Sequence, residues 1–177
     1  MKKVLILLLT LSLIMLTACG APSPSDVLKA DLENAKSSPE EILGEIEETG
    51  FGEKAMGQLI EKVLEFDYEL GKETIDGDTA TVETTITTYP FGQIFTNVVT
   101  NFITQAFANA GNLSDEDMAK LMDDLLLDEL EKAEKTYKKT VSIQLKLEED
   151  KWVVQETKEM SDALTGGMLS FADNMNQ

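Results

Sequence analysis

Phe66-Asp67-Tyr68-Glu69-Leu70-Gly71 and Ile75-Asp76-Gly77-Asp78-Thr79-Ala80-Thr81-Val82 alternate apolar and polar side chains on either side of an Asp-Gly pair. A period of two puts Phe66, Tyr68 and Leu70 on one face of a strand and Asp67 and Glu69 on the other. Asp-Gly between such runs signals a tight hairpin turn. The return strand extends to about Tyr89, with Ala80, Val82 and Ile86 on one face and Thr and Glu on the other. Pro90, which has no N–H to donate, ends it. A second hairpin follows the same logic. Val141, Ile143, Leu145 and Leu147 alternate with Ser142, Gln144 and Lys146, Glu149-Asp150 turns the chain, and Trp152 to Gln155 returns.

Helical signals surround the hairpins. Ser23-Pro24-Ser25-Asp26 reads as an N-cap, a proline in the first turn and an acidic third position, with Val27, Leu28, Leu32 and Ala35 facing inward. Ser38-Pro39-Glu40-Glu41 repeats that start, with Gly50 as a C-cap. A stretch over 53–65 presents Met56, Leu59, Ile60, Val63 and Leu64. Residues 93–110 form a long helix, stopped by Gly111. Ser114 caps the next, with Asp117 at its third position, and that helix runs to about Lys135. Met160-Ser161-Asp162 opens a weak final helix broken by Gly166-Gly167. The order implies an α+β domain over 25–177: an antiparallel sheet of about four strands in two hairpins, covered by helices.

The strand Gly77-Asp78-Thr79-Ala80-Thr81-Val82 and the later Asp150-Lys151-Trp152-Val153-Val154 resemble a group of Gram-positive lipoproteins. The extracytoplasmic part of those proteins is an NTF2-like or cystatin-like domain of unknown function. The resemblance implies such a fold and carries no catalytic residue with it.

The N-terminus has its own grammar. Met1-Lys2-Lys3 is basic, and Val4 to Leu16 is an uncharged run of 13 residues. That is the length of a signal-peptide core and short of the roughly 20 apolar residues needed to span a bilayer. Leu16-Thr17-Ala18-Cys19 then resembles the lipobox of bacterial lipoproteins. It implies a diacylglycerol thioether on Cys19, cleavage after residue 18, and a tether over 19–24. The alternative, an ordinary signal peptide cut after Ala18, has a poor Ala-x-Ala site, because Leu16 is too large for the −3 position. Cys19 is the chain's single cysteine, so it has no disulfide partner within the chain. The expected location is the cell membrane, lipid-anchored on its extracytoplasmic face.

Composition narrows the chemistry. The 177 residues carry a formal charge of −18, and the segment after residue 18 carries −20. Such a field opposes nucleic acid and anionic lipid. There is no Arg and no His. The chain therefore lacks a planar guanidinium fork, a side chain of near-neutral pKa and the ligands of a His/Cys zinc site. No Walker loop, Gly-x-Ser-x-Gly or Ser-x-x-Lys motif is present. No cofactor is expected.

Three groups remain as candidates. Asp115, Glu116, Asp117, Asp123, Asp124 and Asp128 are the densest acidic cluster, but their spacing suits helix capping and a solvated face better than calcium, and no metal site is expected. Tyr68, Tyr89 and Trp152 lie on or beside strands, where they either line a pocket or pack. Thr84 to Ser114 holds no charged residue in a chain that is 27% charged. Its helix has an edge of Ile94, Val98, Phe102 and Ala106, expected to pack on the sheet. The neighbouring edge of Phe95, Val99, Ile103 and Phe107, with Phe102, is the candidate ligand or partner face. These features favour a non-enzymatic module for a protein or a small apolar ligand. The rivals are an enzyme with an Asp/Tyr pocket and a structural subunit of an envelope complex. Residues 161–177, apolar at Leu164, Met168, Leu169 and Phe171 and softened by two glycines, are expected to form a loose flap over the 93–110 helix.

Overall fold

A computed structural model describes residues 22–39, 51–109 and 113–175. The signal peptide, Cys19, most of the 19–24 tether, the Glu40–Gly50 part of the second helix signal and the Gly111 stop lie outside the described residues. Among the described residues ten elements follow in order: α1 (Pro24–Ala35), α2 (Glu53–Leu64), β1 (Asp67–Asp76), β2 (Thr79–Thr88), α3 (Phe91–Ala108), α4 (Asp115–Lys132), β3 (Tyr137–Glu148), β4 (Lys151–Gln155), α5 (Lys158–Leu164) and α6 (Met168–Met175). The fold class is α+β. Four antiparallel strands in the order β1-β2-β3-β4 form an open meander. Among the described residues the first helix begins at Pro24 with Ser23 as its N-cap, as the Ser23-Pro24-Ser25-Asp26 signal predicts.

The helix starts obey local chemistry. Ser23 accepts from the Asp26 N–H while the Asp26 carboxylate accepts from the Ser23 N–H, and Ser114 and Asp117 do the same at α4. Each reciprocal pair satisfies donors that helical bonding leaves over. Both hairpin turns use left-handed backbone, at Gly77 (φ 59°) in the first and at Glu149 and Asp150 in the second.

The sheet's inner face carries the core. Val82 and Ile86 on β2 and Val141, Ile143 and Leu145 on β3 are buried in one cluster with Leu28 and Leu32 of α1. Two threonines, Thr84 and Thr88, share that face and are fully buried, although composition suggested threonine for the outer side. The Thr84 hydroxyl turns back to the Val82 carbonyl at 3.3 Å. A bulge between Leu70 and Glu73 brings Glu73 opposite Val82, on the helix-bearing side. There Glu73 accepts from the Ser25 N–H at 2.8 Å and the Ser25 hydroxyl at 2.6 Å. This fixes the start of α1 beside the sheet end that bears both hairpin turns.

Helix α3 departs from the expected packing. Ile94 and Val98 are buried, but α3 lies against α4 and α6, while α1 and α5 pack on the sheet. It starts at Phe91, directly after the strand end opposite the two turns. Asn97 donates to Glu129 of α4 at 2.7 Å, and the Gly52 N–H ahead of α2 donates to Asp123 of α4 at 2.7 Å. Helix α4 thus joins both α2 and α3 beyond the far end of the sheet.

Candidate functional site

The N-terminal half of α3 is clamped by the turn between α5 and α6. The Gly92 N–H donates to the Gly166 carbonyl at 3.0 Å. Gly166 and Gly167 both have positive φ, and a Cβ on Gly166 would lie 1.9 Å from the Tyr89 carbonyl oxygen. Glycine is thus required for the two backbones to meet. Behind this contact sits Asp162, an aspartate only 5% exposed. Its carboxylate accepts from the Ser170 N–H at 2.8 Å and hydroxyl at 2.9 Å, and pairs with Lys139 of β3 at 3.3 Å. It thereby supplies the N-terminal cap of α6 from eight residues upstream. Burial pushes its carboxyl up, but the Ser170 and Lys139 contacts outweigh that and hold it below the ordinary aspartate value.

A groove of about 460 Å³ opens between α3 and α6, lined by Gln93, Thr96, Ser170, Phe171, Asn174 and Met175 beside Gly92 and Gly167. None of these residues is charged. Amides, hydroxyls, one ring and one thioether can meet a neutral polar ligand with hydrogen bonds and an apolar edge.

The candidate partner face divides along the helix. Phe95 is half-buried, with its ring 5.9 Å from Phe171 of α6 and 6.2 Å from Phe51. Val99 and Phe102 are half-buried. Ile103 is 48% exposed and Phe107 78% exposed. Helix α6 covers the near end of the stripe and leaves the far end open. The flap expected over 161–177 is therefore two different things. Asp162, Ala163, Leu164 and Thr165 are buried, so α5 is core, whereas α6 has no fully buried residue and alone is a removable cover.

No protein-family model matches the chain, and no curated protein matches it. Among solved structures, the crystal structure of a candidate lipoprotein (ycdA) from Bacillus subtilis matches with a TM-score of 0.45 and 18% identity. The match covers 80% of this chain and 47% of that one, so the chain spans about half the length of that protein.

Tyr68, Tyr89 and Trp152 occupy three separate settings. The Tyr68 hydroxyl donates to Glu33 of α1 at 2.6 Å, and Lys36 sits 4.9 Å from its ring centroid. The Tyr89 hydroxyl donates to Glu65 at 2.8 Å, with Lys62 4.3 Å from its ring. Each phenol ties a helix end to a strand end. Trp152 lies elsewhere, against Pro22 and Val27. Asp67, on the opposite strand face from Tyr68 as the alternation predicts, is exposed and pairs with Lys135 at 3.1 Å. Of the acidic cluster, Asp117 caps α4, Asp123 holds Gly52, and Asp128 pairs with Lys132.

Burial first, and then the neighbouring carboxylate, pushes both Tyr68 and Tyr89 up to about 12. A phenol raised in the folded state stabilises the fold fully below its ordinary value near pH 10, and that contribution fades as pH rises through 12. Burial also raises Tyr137, the third and last tyrosine. Ultraviolet titration of the folded protein should therefore show two phenols still largely protonated at pH 11, and Tyr68→Phe should remove one of them. Half-ionisation of the tyrosines near pH 10 in the folded protein would contradict these clamps.

Proposed function

We propose that the chain is a lipoprotein held by acylated Cys19 on the extracytoplasmic face of the cell membrane, and that it works there by binding rather than catalysis. The observation that carries the anchoring is Leu16-Thr17-Ala18-Cys19 after a 13-residue uncharged run. The start of helix at Ser23 fits it, because only a short tether then separates lipid from fold. Two acyl chains, at about 0.8 kcal/mol per buried methylene, hold a protein stably where one chain does not. A relation to NTF2-like or cystatin-like domains rests on the Gly77–Val82 and Asp150–Val154 motifs.

The binding surface is the uncharged side of α3: the groove against α6 and the open tip at Ile103 and Phe107. In a chain of −18 charge, a neutral surface of this kind suits a neutral ligand or a protein partner and disfavours nucleic acid. An Asp/Tyr enzyme is the weaker alternative, since Tyr68 and Tyr89 are already committed to Glu33 and Glu65.

Cys19→Ala is expected to leave an uncleaved precursor or to release the chain into the medium. Wild-type N-terminal peptide is expected to carry the mass of the lipid. Wild-type fractionation of the variant, with no lipid on native Cys19, would remove the anchoring reading. Turnover of ester, peptide, glycoside or phosphate substrates that a single carboxylate substitution abolishes would replace binding by catalysis.

A further inference from the structure

We propose that the end of the domain bearing Trp152 docks on the lipid bilayer beside its own anchor, leaving the α3 face pointing away from the membrane. This rests on the anchoring reading above. Trp152, Val27, Pro22, Asp150 and Lys151 line a groove of about 180 Å³. Pro22 follows Cys19 by three residues, and three extended residues reach at most about 11 Å. Whatever path the tether takes, Pro22 on the rim of this groove stays within that distance of the acylated cysteine. The bilayer is thus the one occupant that the chain itself delivers to the site.

The same end of the sheet carries both hairpin turns and the Glu73–Ser25 contact. The opposite end is where β2 stops and α3 begins, so the docking face and the partner face lie at opposite ends of the molecule. The chemistry of the groove suits a lipid interface. Trp152 is half-buried, packed on the core on one side and open to the groove on the other. Indole, with its apolar body and one N–H donor, settles at headgroup level. Lys151 beside it has a flexible stem and a cationic head that can reach a headgroup phosphate. Asp76, Asp78, Glu148, Glu149 and Asp150 surround this end. Their charge keeps the contact shallow and makes zwitterionic lipid the better surface.

Trp152 is the chain's single tryptophan, so its emission reports on this groove alone. Mature lipidated protein would be placed in phosphatidylcholine vesicles with and without bromine on the acyl chains. Trp152 emission is expected to fall by at least about twofold with bromine, as for an interfacial indole. In Trp152→Phe combined with Phe107→Trp, emission is expected to stay unchanged. Mass spectrometry of the N-terminal peptide is done on the same sample. Lipid on Cys19 with unquenched Trp152, or equal quenching at both positions, overturns the docking and leaves the anchor standing. Absence of lipid on Cys19 overturns the anchoring reading, and the docking with it.

Discussion

Gly166→Ala is expected to be the most damaging single-methyl change in the molecule. The added Cβ would lie 1.9 Å from the Tyr89 carbonyl oxygen and 3.0 Å from the Phe91 nitrogen. Both are backbone atoms at the junction of β2 and α3, so no side chain can swing aside. The position also has φ +53°, where an L-residue costs roughly 1–2 kcal/mol. Overpacking against fixed atoms adds roughly 1–3 kcal/mol. The same shift would strain the Gly92 N–H bond to the Gly166 carbonyl. Gly77→Ala is the matched control: its φ is +59° and nothing lies within 4 Å of the added carbon. Its cost should be the backbone part alone, about 1 kcal/mol. Urea unfolding of the two variants separates the contributions. Equal shifts in the midpoint would mean that the α5–α6 turn yields, and that the clamp on α3 is not rigid.

The features legible in the sequence are those whose signals are local. Ser23 with Asp26, and Ser114 with Asp117, satisfy helix-start donors within four residues of chain, so the pattern of residues alone announces them. Period-two alternation and Asp76-Gly77 give the meander, because strand register follows directly from turn and face. The errors come from features set at a distance. The bulge after Leu70 flips Glu73 to the inner side, and strict alternation gives no sign of it. Thr84 and Thr88 are buried because their neighbours on β2 are, a consequence of the face rather than of the hydroxyl. The apolar stripe of α3 points it at the sheet, yet α4 and α6 offer a second apolar partner away from the sheet, and sequence cannot rank the two. The candidate face was half legible. The missing charges between Thr84 and Ser114 marked it, but the division between half-buried Phe95 and open Phe107 depends on where α6 ends. Asp162 looked like a helix-start residue beside Ser161. Its true role, capping a helix eight residues later while pairing with Lys139, needs the tight turn at Gly166-Gly167.

That turn makes Asp162 the second position where a large effect is expected. Asp162→Ala removes two hydrogen bonds from Ser170 and the ion pair with Lys139 in one step. Removing one partner of a well-buried charge pair costs roughly 3–5 kcal/mol. The Lys139 side chain is one-third exposed and can turn to water, which places the expected loss at the low end, about 3 kcal/mol. The loss should not spread evenly. Helix α6 has no fully buried residue and depends on Asp162 for its cap, so amide exchange in 168–175 should rise more than in β2 or β3. Phe171 then leaves Phe95, and the covered part of the α3 stripe opens. Acid should reproduce the effect. The Asp162 carboxyl is held below its ordinary value in the folded protein. Its contribution is therefore complete above the unfolded value near pH 4 and disappears as pH falls through the folded one. Asp162→Asn, with no charge to lose, should show a flatter stability profile across that window. Truncation tests the same arrangement from the other side. Cutting after Met160 deletes buried Ala163 and Leu164 and should unfold the domain, whereas cutting after Gly167 removes only α6 and should leave a folded protein with more apolar dye binding at Phe95. If Asp162→Ala and the Gly167 truncation both leave dye binding unchanged, α6 is not the cover of this face, and Phe95 must be sheltered by Phe51 alone.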